Sequence, residues 1–290
     1  MVTGYVLQFA PLGAFDAIAP LRGLAPWRTT FVLVGSFGFV VAALLLLLRE
    51  PPRQGTASES ISAKGLRSTL AQFSARRRLF LPMYGSLATF AMGTAAVSGW
   101  GAVLLTRNFG FSAASAGKSL GTGQILWATL GAAIASLIVD RVARRAGTSG
   151  KIKLAAALAL LAVPACMAGL TKFDTVAVAL LSATMFVSAI YGATMLSVTT
   201  EVAPANARGL AVALYAFVMT MIGGSLAPLA VAFLTEHVFH NPRAVAWSMA
   251  IVGTAALCVS ALLSLTAARE LQSTRATDSI PEQRAAARIG

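Results

Sequence analysis

The chain has 290 residues, 57% of them hydrophobic and 11% charged, with a formal net charge of +13. A soluble domain is nearer a quarter charged and could not bury this much apolar surface, so a water-soluble globular protein is excluded. A nucleic-acid binder is excluded as well, because the basic residues lie between apolar runs and form no stripe with aromatic side chains.

Charged residues punctuate the sequence into segments. The first candidate span, residues 3–21, contains Gln8, Pro11, Asp16 and Pro20 and lacks the basic start of a signal peptide. Uncharged runs then cover residues 29–48, 79–106, 119–139, 154–171, 175–200, 209–235 and 244–268. Each has at least 18 residues, and about 20 helical residues cross a bilayer's hydrocarbon core. The expectation is an all-α polytopic membrane protein with eight transmembrane helices. Frequent Ala, Gly and Ser suit close helix packing in lipid. Residues 1–48 hold two spans, 49–78 form a polar cytoplasmic linker, 79–268 hold six spans, and 269–290 form a charged cytoplasmic tail, partly helical and not embedded. Cys166 and Cys258 lie inside spans and read as small apolar residues.

Alternate loops divide the basic residues unequally. One side receives 17 Lys and Arg and the other six: Arg22, Arg28, Arg107, Lys118, Lys172 and Arg243. The richer side is expected to be cytoplasmic. With eight spans both termini are cytoplasmic too, in what reads as a bacterial inner membrane.

Several stretches carry a family resemblance. "PWRTTFVLVG", followed by a leucine run ending "LLREPPR" and a basic linker, resembles the middle of a major facilitator superfamily transporter. "GWGAVLLTRNFGFSAASAGKSLGTGQ" resembles the first hairpin of such a transporter's C-terminal half. "SLIVDRVARR" is similar to the superfamily's cytoplasmic-loop motif, Gly-x-x-x-Asp-Arg-x-Gly-Arg-Arg. Ser136 and Ala143 stand at the glycine places, while Asp140, Arg141, Arg144 and Arg145 fit. "VAPANARGLAVALYAFVMTMIGGSLAPLAVAFLTEHVF" supplies Pro204, Arg208–Gly209 and Gly223–Gly224 in the expected order. Within the superfamily the sequence resembles the spinster-like group of lipid and organic-anion carriers. The family pattern has two six-helix halves with a cavity between them. The resemblance therefore implies helices five to twelve, without the first four.

The resemblance also implies roles. Asp140 would touch the positive start of a neighbouring helix and lock one state of the transporter; the pseudo-symmetric partner is the beginning of the first span, near Met1. The other reading of Asp140, Arg141, Arg144 and Arg145 is a solvated helix end that sets topology. Tyr84, Trp100, Gln124, Tyr191 and Tyr215 are the cavity candidates, since each pairs an apolar body with a hydrogen-bonding tip. Their alternative is interfacial anchoring or helix packing, and for Trp100 near an outer end that alternative weighs more. Gln124 is the most pointed, because an amide in lipid must find a partner.

Asp16 is the one carboxylate inside a candidate span and the possible coupling acid; with Pro20 and Arg22 nearby it also reads as an outer headgroup residue. Glu201 sits at a cytoplasmic helix end, where its expected partner is Arg208. His237 and His240 have ligand-like spacing but no third ligand, so no metal site is expected. No Ser–His or paired-Asp arrangement lies at membrane depth, and no Gly-rich phosphate loop with a Lys is present, so neither an enzyme nor an ATP-driven pump is expected. The expected partners are the lipid bilayer, a small organic anion or amphipathic solute, and a proton or other ion. No cofactor is expected. The rival to a transporter is a non-transporting membrane remnant or scaffold. On its own, the chain is expected to insert into membranes without performing ion-coupled transport.

Overall fold

The computed structural model describes residues 26–47 and 71–286, and all secondary structure among them is helical. The candidate span at 3–21, with Asp16, and most of the linker lie outside the described residues.

Helix α1, Pro26–Leu46, carries Phe37, Phe39 and Leu46 fully towards the surroundings, at 73%, 81% and 88% exposed. Helix α2, Arg77–Phe109, runs 33 residues and ends at Gly110, whose left-handed φ of 72° suits glycine. Three residues later α3 begins. Its N-cap Ser112 accepts a hydrogen bond from the Ser115 backbone N–H at 3.1 Å.

Helix α3, Ala113–Leu161, is broken at Gly147, where φ 60° and ψ −159° define a backbone state open almost only to glycine. Helix α5, Asp174–Val202, shows that this break is a reversal. Along the first arm, residues 113–146, Gly123 abuts Ser182 and Gly131 abuts Phe186 and Ala189, so the two run parallel. In the second arm Thr148 reaches Glu201 and Lys151 reaches Ser197, so the order inverts. The second arm continues through α4, Val163–Cys166, started by Pro164, and a 3-10 turn, Ala168–Leu170.

The charged stretch after Val139 is therefore helix and not loop, because Arg is a good helix former and only Gly147 stops the turn. Five helices among the described residues are long and apolar enough to cross a membrane, the broken one spanning Ala113–Leu170. The count of eight is not matched among these residues.

Helix α6, Arg208–Phe217, passes through a π-helical turn, Val218–Gly223, into α7, Gly224–Phe233, and a second π turn, Leu234–Val238. A 3-10 turn, Pro242–Ala244, leads to α8, Val245–Ala286, so the tail continues as helix past Arg269. Helix α2 is the hub. A Cβ at its Gly93 would lie 2.5 Å from Leu257 of α8, and one at Gly223 would lie 2.2 Å from Ala91 of α2. Helices that cannot gain much from expelling lipid gain instead from such close approach. At the far end Arg107 and Asn108 donate to the carbonyls of Pro242 and Arg243, at 3.3 and 3.1 Å.

Candidate functional site

Two groups of polar side chains stand out from the apolar packing. The first joins α2, α5 and α6. Tyr84 donates to the Ala211 carbonyl at 3.0 Å, Tyr215 to the Gly192 carbonyl at 3.4 Å, and Tyr191 to the Ser86 carbonyl at 3.2 Å. Ser260 of α8 shares that Ser86 carbonyl at 2.8 Å. In a medium without water each hydroxyl needs such a partner.

The three tyrosines differ in access. Tyr191 is wholly buried and stacks on Phe90 with ring centres 3.5 Å apart, so in this conformation it is part of the packing. Tyr84 and Tyr215 are half-buried and keep part of their surface exposed. Trp100 is half-buried against the core. Gln124, on the first arm of α3, is half-buried and makes no hydrogen bond among the described residues. The structure thus groups the tyrosines at one helix junction and leaves Trp100 and Gln124 apart from it.

The second group sits at the Gly147 end. Asp140, Arg141, Arg144 and Arg145 are all exposed on the last turns of the first arm. Their neighbour Lys151 is not, for its side chain is 7% exposed. Its ammonium is ion-paired and hydrogen-bonded to Glu201 and donates to Ser197 Oγ at 2.9 Å. Ser197 Oγ and Thr148 Oγ1 also donate to the Glu201 carboxylate, each at 3.1 Å.

Glu201 therefore pairs with Lys151 across the reversal, not with Arg208, which is exposed on the next helix. Sequence reasoning missed Lys151 because it reads as one more topology charge in "TSGKIK". The signal was the pair of glycines: Gly147 reverses the chain, and Gly150 lacks the Cβ that would lie 2.3 Å from Ala146 Cβ on the first arm. At the other end, His237 stacks on Phe233 at 5.0 Å and His240 Nδ1 lies 3.3 Å from the Val238 carbonyl oxygen.

The arrangement is a helical body with polar junctions inside and a cluster of exposed charges at the Gly147 end. Residues 3–228 match the family model of the Major Facilitator Superfamily. The chain belongs to that superfamily. It is accordingly an integral membrane protein of a transporter family, and members of that family are not enzymes.

Among solved structures, the chain is similar to a bacterial homologue of the human lysosomal transporter Spinster in an inward-facing, unoccupied conformation. Identity is 19% and the TM-score 0.56, over 92% of this chain and 62% of that one. The same homologue in an occupied conformation gives 21% identity and a TM-score of 0.46, over 94% of this chain and 64% of that one. The likeness is one of fold, and the chain spans less than two thirds of that relative's length. No curated protein matches this chain.

Proposed function

We propose that the chain is the C-terminal two-thirds of a spinster-like secondary transporter that moves a small organic anion or amphipathic solute by alternating access. The observation that carries this reading is the superfamily match, which runs from residue 3 to residue 228, through the N-terminal segment and most of the helical body. On this reading residues 1–48 end the N-terminal half and 79–268 form the C-terminal half, with the halves rocking about a midplane site. Tyr84 and Tyr215 face that site, with Gln124 and Trp100 at its edge. Asp140 is the gate carboxylate, meeting the start of a helix in the N-terminal half.

The test is octanoate uptake into proteoliposomes, with and without an imposed proton gradient. Three proteins are compared: the chain alone, its Asp16→Asn variant, and a form carrying four further helices ahead of residue 1. Uptake above empty liposomes is expected only in the extended form. There, Asp140→Asn lowers the rate about fivefold, the equivalent of ~1 kcal/mol of lost helix-terminus interaction, while Arg144→Ala changes it less than about twofold. Gradient-driven accumulation by the chain alone that survives Asp16→Asn overturns the reading. Equal, small effects of both loop changes return Asp140 to a topology signal.

The 17-to-6 division of basic residues supports a cytoplasmic Gly147 end. In a background with Cys166 and Cys258 replaced by alanine, a cysteine at the exposed Arg144 is expected to resist an impermeant thiol reagent in intact cells. Cysteines at Lys172 or His240 are expected to react. The reverse pattern inverts the assigned orientation.

A further inference from the structure

At the end of the bundle away from Asp140, the turn after α2 and the first turns of α3 and α5 enclose a pocket of about 310 Å³. Its lining includes Phe111, Ser119, Gly123, Trp127, Asp174 and Ser182. Three features of this lining point to one kind of ligand.

The first is charge. In a chain of net charge +13, the pocket presents a single ionisable side chain among the described residues, and it is an acid. Asp174 Oδ1 accepts the Thr175 backbone N–H at 2.6 Å, and the carboxylate has no ion-pair partner among the described residues. The second is an unmet hydroxyl. Ser182 is 1% exposed and its Oγ has no hydrogen-bond partner among the described residues, yet it lines the pocket. A buried hydroxyl in that state gains from any ligand that reaches it. The third is aromatic surface from Phe111 and from Trp127, whose ring is held edge-on against Phe186 at 5.9 Å. Aromatic rings attract cations, more strongly where water is scarce.

Asp174 and Ser182 are eight residues apart on α5, about 12 Å at the helical rise. A ligand that meets both is elongated, with a positive head at the mouth and an oxygen-bearing group further in.

We propose that this pocket binds an alkylammonium head on an apolar stem, with Asp174 as its counter-ion, Phe111 and Trp127 as its aromatic wall, and Ser182 as the hydrogen-bonding group for an oxygen along the stem. Such a head comes either from an aminophospholipid of the surrounding leaflet or from a free amphipathic amine. The pocket lies apart from the Tyr84–Tyr215 junction, so binding is read independently of any uptake assay.

The soluble probe is 8-amino-1-octanol, compared with uncharged 1,8-octanediol by calorimetry on the detergent-solubilised chain. The amine is expected to bind at least about tenfold more tightly. Asp174→Asn removes that preference, Asp174→Glu keeps most of it, and Ser182→Ala weakens amine binding a few-fold, with melting curves confirming that each variant is folded. In a second arm, the chain is placed in nanodiscs of mixed phosphatidylethanolamine and phosphatidylglycerol, and co-purifying lipid is weighed by native mass spectrometry. Retention of phosphatidylethanolamine that Asp174→Asn abolishes assigns the head to a lipid. Amine binding without that retention assigns it to a free solute. Equal affinities for the amine and the diol, or an amine affinity unchanged in Asp174→Asn, overturn the proposal.

Discussion

Replacing Glu201 by alanine is expected to cost about 2 kcal/mol of stability, and adding Lys151→Met to the same chain is expected to return most of it. The asymmetry follows from burial. Lys151 is 7% exposed and depends on Glu201 and Ser197 for its ammonium, whereas the glutamate side chain is 40% exposed. Removing the carboxylate strands a cation in apolar packing, which for fully buried pairs costs about 3–5 kcal/mol. The solvent around Glu201 reduces this, since water screens part of the pair. An apolar side chain of similar volume carries no such penalty, so the double variant should unfold close to the parent. Melting midpoints in mild detergent give the comparison. A double variant as unstable as Glu201→Ala alone would mean that packing by the glutamate, not the stranded charge, sets the loss.

The second large effect concerns the crossing of α2 with the π turn at Gly223. Gly223→Ala is expected to destabilise the fold by about 1–3 kcal/mol through overpacking, whereas Gly209→Ala should leave it unchanged. A Cβ at Gly223 would sit 2.2 Å from Ala91 Cβ and 2.9 Å from the Ala88 carbonyl oxygen, while at Gly209 nothing lies within 4 Å. Two of the neighbours at Gly223 are α2 backbone atoms, so no rotamer change relieves the contact and the helices must separate. Size-exclusion profiles and melting midpoints of the two variants, with Ala91→Gly added to Gly223→Ala, provide the measurement. Full rescue by Ala91→Gly would show that the side-chain clash alone is responsible; the carbonyl contact predicts partial rescue.

Much of the helical body was legible in the sequence because lipid imposes a length. The uncharged runs at 175–200 and 209–235 fall within Asp174–Val202 and Arg208–Val238, and charge-free residues 79–106 lie within Arg77–Phe109. What charge could not mark is a helix that continues through it. Arg141, Arg144 and Arg145 leave the span without leaving the helix, because backbone hydrogen bonding needs no apolar side chains. The Lys151–Glu201 pair was hidden for a different reason. It joins residues 50 apart, and only the turn at Gly147 brings them together. The tyrosines illustrate a third limit. Their type and depth were readable, but whether a hydroxyl meets a carbonyl of the next helix or an open cavity depends on helix rotation, and Tyr191 was rotated wholly inward.

The uninterrupted run of helix from Ala113 to the break at Gly147 makes the charged tip mechanically rigid with the rest of its arm. Thirty-odd helical residues form a rod of about 50 Å, so tilting it by roughly ten degrees about its centre swings Asp140 by about 3 Å and Arg145 by about 4 Å. The glycine beyond them separates this rod from the second arm, which Lys151 ties to α5 through Glu201 and Ser197. In the proposed rocking of the halves, such a tilt of the first arm would arrive at its Gly147 end as a lateral stroke of fixed charges.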